Sequence, residues 1–110
     1  MNISCCAWAL SEPEPRALKQ LAQLDFAHLD VQTHTYATAQ SQATIEALNL
    51  QVCCIGLSFN MPEGAALDSP SADARQRAIA HIEQGLDQAA QSGADTAYVV
   101  PGEYPNRLVH

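Results

Sequence analysis

The chain has 110 residues, 47% of them hydrophobic, with five Lys and Arg against twelve Asp and Glu and a formal net charge of −7. That length holds one domain with one modest core, and the composition is not that of a disordered chain. Nucleic-acid binding needs clustered positive charge, and only Arg75 and Arg77 lie close together, so no nucleic-acid partner is expected. No apolar run approaches the roughly 20 residues that span a bilayer, and no basic segment precedes a long apolar one at the N-terminus. A cytoplasmic protein without a membrane partner is expected.

In chain order, "NISCCAWAL" is short, apolar and bounded by turn residues, and reads as a strand. "SEPEPRALKQLAQL" carries a helical stripe of Leu18, Leu21, Ala22 and Leu24. Ser11 with Glu14 resembles a capping box, while Pro13 and Pro15 move the settled start of the helix to Glu14. "FAHLDVQ" is a second strand. "ATAQSQATIEALN" is a weaker helix anchored by Ile45 and Leu48, with Asn49 suited to a left-handed C-terminal cap.

"LQVCCIGLSFN" is the third strand, and "MPEGAALDSPS" is a loop rich in Pro, Gly and Ser. "ADARQRAIAHIEQGLDQAAQSG" is the clearest helix. Its apolar face is Ala78, Ile79, Ile82, Leu86, Ala89 and Ala90, and Gly93 is its stop. "TAYVV" is strand four, left through a Pro101-Gly102 turn.

Continuous apolar strands joined by helices predict a parallel sheet covered by helices, in an α/β chain of about four strands and three helices. An open doubly wound sheet and a segment of a (β/α)8 barrel both satisfy this pattern. The open sheet often carries a Gly-rich phosphate loop after strand one, and "WALSEPEP" has no glycine. A barrel places function at the C-terminal ends of its strands, where this chain puts Trp8, Asp30, His34, Ser58, Asn60 and Glu103.

The cysteines form two adjacent pairs, Cys5-Cys6 and Cys53-Cys54. On a strand, each pair is expected to send one thiol to either face. Their spacing matches neither a zinc knuckle nor a C-x-x-C redox site, so small apolar filler in a reduced protein is the favoured role over a metal or disulfide one.

Three stretches together resemble the xylose-isomerase-like barrel superfamily, which includes sugar and sugar-phosphate isomerases and epimerases as well as endonuclease IV-type repair enzymes. Phe26 leads into a strand that ends in an acidic residue, Asp30, where that family commonly has glutamate. Leu50, Val52 and Gly56 match a "leucine, x, valine" opening with a glycine near the strand end. A long helix closes in Ser92-Gly93-Ala94 before an apolar strand and Pro101-Gly102.

The resemblance implies the N-terminal half of a TIM (β/α)8 barrel, a single partial domain over residues 1–110 truncated after its fourth strand. It implies a function too: the N-terminal portion of a sugar or sugar-phosphate isomerase or epimerase, working by metal-assisted proton transfer next to a carbonyl. In that family the divalent metal, manganese or magnesium, and both proton-moving glutamates lie on strands five to eight. This chain alone is therefore expected to bind no metal, to hold no catalytic residue and to be inactive. Repair members carry metal-binding histidines where this chain has Ser58 and Val100, which disfavours an endonuclease.

One wall of a sugar pocket is what the resemblance leaves. Trp8 either stacks on a sugar or packs beneath the first loop. Asp30 either bonds a hydroxyl or caps a loop, and His34 is either a ligand contact or solvated. Ser58 and Asn60 suit polar ligand groups. Glu103 invites the role of a base, but the resemblance places the bases later in the barrel. His28 and His81 have no partner at metal-ligand spacing and are expected to be structural. The alternative is a non-catalytic half-barrel that binds a sugar or a protein partner, with a homodimer formed through its exposed sheet edges.

Overall fold

The computed structural model describes residues 3–33 and 39–100. Four strands, β1 (Ser4–Cys6), β2 (His28–Gln32), β3 (Gln51–Gly56) and β4 (Thr96–Tyr98), form one parallel sheet in the order β1-β2-β3-β4. Among the described residues three helices alternate with them: α1 (Glu14–Gln23), α2 (Ala39–Ala47) and α3 (Ala72–Ser92). Strands that follow one another in sequence are neighbours in space, as in a barrel wall, and there is no reversal of order of the kind that marks a doubly wound sheet. The fold is α/β, with the architecture of half a (β/α)8 barrel.

Alternation along β2 shows how the core is placed. Leu29 and Val31 are buried, and the intervening His28, Asp30 and Gln32 are half-buried. With Val52 and Ile55 from β3 and Leu57 just after it, these aliphatic residues pack beneath Leu18, Leu21 and Ile45 of the helices. Cys5 and Ala97 reach the same layer from the outer strands. The opposite face carries Ser4, Cys6, Asp30, Gln32, Cys54 and Tyr98, which would line the inside of a closed barrel.

Helix ends follow their local chemistry. α1 begins after Pro13 with Pro15 in its first turn, so the settled start at Glu14 holds. The capping box does not form. Pro13 occupies the cap, no side chain caps the helix, and Ser11 takes a left-handed φ of 52°. Glu14 instead accepts a hydrogen bond from Ser41 of α2, tying the two helices together. Asn49 adopts φ 54° as expected, and Gly93 closes α3 at φ 75°. At the other end of α3, Ser71 Oγ accepts from the Ala74 amide.

Three expectations need correction. Leu24 is 62% exposed, because α1 ends before it and the chain turns away. On α3, Ile79 and Leu86 are exposed. The buried line is Ala74, Ala78, Gly85 and Ala89, small residues that let the long helix lie close to the sheet. The strands are also shorter than their apolar runs: β1 ends at Cys6 and β4 at Tyr98. The Pro101-Gly102 turn lies outside the described residues.

Candidate site at the C-terminal ends of the strands

The C-terminal ends of β1, β3 and β4 bring three aromatic side chains together. Trp8 sits in the turn that follows β1, pinned by the Ala7 amide on Asp30 O and the Ala9 amide on Cys6 O. Its ring centroid is 5.0 Å from that of Phe59, tilted at 53°. Phe59 meets Tyr98 edge-on, at 6.3 Å and 88°. Gly56 makes the meeting possible. A Cβ there would lie 2.5 Å from the Phe59 ring and 2.9 Å from the Tyr98 hydroxyl.

Polar groups border this cluster. Gln32, Gly56 and Tyr98 are in register across three strands. Asn60 Nδ2 donates to Gln32 Oε1 at 3.5 Å. Asn60 holds a left-handed φ of 58°, which an asparagine tolerates better than most residues. Below Gly56, the Thr33 hydroxyl donates to its carbonyl at 2.7 Å. Ser58 Oγ accepts from the Val100 amide at 2.9 Å, so this serine secures the segment after β4.

Asp30 is the third of five residues in β2, not the last, so Gln32 stands where an acid was expected at the strand end. Its carboxylate accepts from the Ser4 hydroxyl, and Cys6 Sγ lies 4.0 Å from Oδ2. Cys6, Asp30, Cys54 and Thr96 form one row across the sheet, one layer below the aromatic cluster. Trp8, Asn60 and, at the rim, Ser58 thus share the mouth, while Asp30 sits deeper. His34 and Glu103 lie outside the described residues.

The four cysteines are free thiols. Cys5 turns to the aliphatic core and Cys6 to the Asp30 side, as alternation requires. The second pair breaks that rule. The β2–β3 register slips between Leu29 and Asp30, which pair with Val52 and Cys54, so Cys53 is the extra residue of a bulge. Partial burial pushes the Cys6, Cys53 and Cys54 thiols above their ordinary range, and the Asp30 carboxylate adds to the shift in each. Tyr98 is raised by burial first and then by Cys6, Cys54 and Asp30. Its phenol therefore keeps its proton at neutral pH and acts there as a hydrogen-bonding group.

Among the described residues no group of three or more His, Cys, Asp or Glu side chains could hold a metal ion. The carboxylate and thiols of the inner row do not fit a manganese or magnesium site, which calls for several converging oxygen ligands. No helix among the described residues is long and apolar enough to cross a membrane.

Parallel strands in sequential order, helices on one face and functional groups at the strand ends define a TIM-barrel type of architecture. No protein-family model and no curated protein matches the sequence. Among solved structures, the chain is similar to a D-psicose 3-epimerase crystallised in the presence of D-fructose, with a TM-score of 0.68 at 16% identity. The match covers 96% of this chain and 39% of that one, so the chain spans about two-fifths of the epimerase's length. At that identity the likeness is one of fold.

Phe59, Tyr98 and Gln32 were not singled out in the sequence. Phe59 lay among the apolar residues of a strand, and Tyr98 in another. One signal was available: an aromatic residue in or just after three of the four apolar strand segments, Trp8, Phe59 and Tyr98.

Proposed function

We propose that this chain forms one wall of a sugar-binding barrel of the isomerase and epimerase type. The observation that carries this reading is the surface of Trp8, Phe59 and Tyr98, bordered by Gln32 and Asn60, at the C-terminal mouth of a fold shared with a ketose epimerase. Aromatic rings offer contact for the C–H face of a sugar, and amides and a phenol are donors and acceptors for its hydroxyls. The proton transfer next to the carbonyl, and the manganese or magnesium that would assist it, are assigned to other strands of a complete barrel. This wall binds and orients the sugar and contributes no base. Sugars and sugar phosphates both remain within the reading.

Titrating the chain with D-fructose and a panel of other ketoses, aldoses and their phosphates by calorimetry tests it. Saturable binding that weakens at least tenfold in Phe59→Ala is expected, along with no turnover in the presence of manganese or magnesium. Binding indifferent to Phe59 overturns the wall, and metal-dependent turnover by the chain alone overturns the division of labour.

A second reading, self-association of a non-catalytic half-barrel, is favoured by the sheet edges. Among the described residues β1 pairs only with β2 and β4 only with β3, and Ile3, Val99 and Val100 beside those edges are exposed. A two-fold axis along the barrel axis would set β4 of one copy parallel to β1 of another and close eight strands. Sedimentation equilibrium reads this directly. Twice the chain mass is expected, and a strictly monomeric species over a wide concentration range excludes it.

A further inference from the structure

The loop between β3 and α3 is held by side chains, and two of them come from one face of α3, a turn apart. Arg77 donates from Nη1 to Glu63 O at 2.8 Å and from Nη2 to Gly64 O at 3.4 Å, while its Nε bonds Asp73 at 3.1 Å. One turn on, His81 Nε2 lies 2.8 Å from Phe59 O. A carbonyl can only accept, so Nε2 carries the proton. On the β3 side, Thr33 holds the Gly56 carbonyl.

Gly56, Phe59, Glu63 and Gly64 are thus secured through their main-chain oxygens, and the Phe59 ring is left to its neighbours. It rests over Gly56, between Trp8 and Tyr98. Its ring position depends on where its own peptide sits, and His81 sets that position.

We infer that His81 is a positioning residue for the aromatic wall, fixing Phe59 against Trp8 through the Phe59 carbonyl. The inference rests on the sugar-binding reading for its consequence. A ligand meets a preformed stacking surface and does not have to order one, which lowers the entropic cost of binding.

Trp8 is the sole tryptophan, so the long-wavelength edge of the near-ultraviolet circular dichroism, beyond tyrosine absorption, reports on its surroundings, of which the Phe59 ring is part. His81→Ala is expected to collapse that signal and to weaken sugar binding roughly fivefold, the scale of one hydrogen bond. His81→Gln, whose amide nitrogen can donate to the same carbonyl, is expected to restore both. His81→Asn, too short to reach, serves in place of the alanine variant if that one folds poorly. Ser71→Ala, which removes the α3 cap, supplies the control. It should lower Tm and leave the Trp8 signal unchanged.

A His81→Ala protein with lowered Tm and an unchanged Trp8 signal overturns the inference, as does failure of glutamine to restore the signal. If the unaltered chain binds no sugar, the dichroism comparison still decides the role of His81, and only the binding reading falls.

Discussion

On the helix side of the sheet, Leu29, Val31, Val52 and Ile55 pack beneath Leu18, Leu21 and Ile45 with almost no solvent contact. On the other side the sheet presents Cys6, Asp30, Gln32, Cys54 and Tyr98, all half-buried, and the bonds there run side chain to side chain, from Ser4 and Cys6 to Asp30 and from Asn60 to Gln32. The first face removes apolar area from water, the main favourable term in folding. The second holds hydroxyl, amide, thiol and phenol groups whose exchange of water for protein partners nets little. Stability and, on the sugar-binding reading proposed above, recognition are therefore carried by opposite faces of one sheet, and substitutions on the two should separate.

The sharpest separation is between Leu29→Ala and Cys54→Ala, residues on neighbouring strands. Leu29 is fully buried, and its truncation leaves a cavity worth about 2–5 kcal/mol. Cys54 loses one atom from a half-buried site and should cost less than about 1 kcal/mol. Urea unfolding of both variants decides the matter, and equal losses would mean that the inner face is as much a core as the outer one.

Two glycines test close approach on each face. In α3, alanine at Gly85 would gain about 1 kcal/mol of helix propensity. Its Cβ would also lie 2.6 Å from Leu57 Cδ2, and because Leu57 is buried in the core, shifting it disturbs the packing around it. Overpacking of this kind costs about 1–3 kcal/mol, so a net loss of stability is expected for Gly85→Ala. Gly56→Ala presses on Phe59 and Tyr98 at the mouth, and its main expected effect is a changed Trp8 dichroism signal. A stabilised Gly85→Ala protein would show that α3 can lift from the sheet.

Much of this was legible in the sequence, and the gaps have physical causes. Periodicity placed the seven elements of the described residues in order, and Asn49 and Gly93 marked where helices end, because both signals are local. Helix faces were read less well. Ile79 and Leu86 are apolar yet exposed, since small residues, and not large ones, sit where α3 meets the sheet. Cys53-Cys54 looked like ordinary alternation because a bulge depends on the partner strand's register, which no single strand encodes. The site was half visible: Trp8, Ser58 and Asn60 reach the mouth. Phe59 and Tyr98 were hidden because the ring contacts, Trp8 with Phe59 and Phe59 with Tyr98, join residues far apart in the chain through the topology alone.

A smaller effect concerns backbone conformation without packing. At Gly93 an added Cβ would meet nothing within 4 Å, but φ is 75°. Gly93→Ala should therefore cost about 1 kcal/mol from the left-handed backbone alone. Gly93→Asn should recover part of that, because asparagine tolerates this region. Thermal unfolding of the pair separates conformational cost from the packing cost expected at Gly85.

The smallest expected effect belongs to the inner face and shows only at alkaline pH. Partial burial is the first cause of the raised Cys6 and Cys54 thiols, and the Asp30 carboxylate between them is the second. A thiol raised in the folded chain keeps its proton over a range in which the unfolded chain has already lost it. There the native state binds more protons, so stability falls as pH rises. Below the unfolded value, about 8.5, both states are protonated and the favourable contribution is whole. Urea midpoints should thus hold steady up to about pH 8 and decline on the way to pH 10, and Cys6→Ser with Cys54→Ser should flatten the decline. Tyr98, raised by the same burial and the same charges, extends it at the upper end. Asp30→Asn discriminates between the causes. It removes the charge and leaves the burial, so most of the slope should survive. A slope abolished by Asp30→Asn would make the row an electrostatic unit, with the carboxylate and not the partial burial governing its thiols.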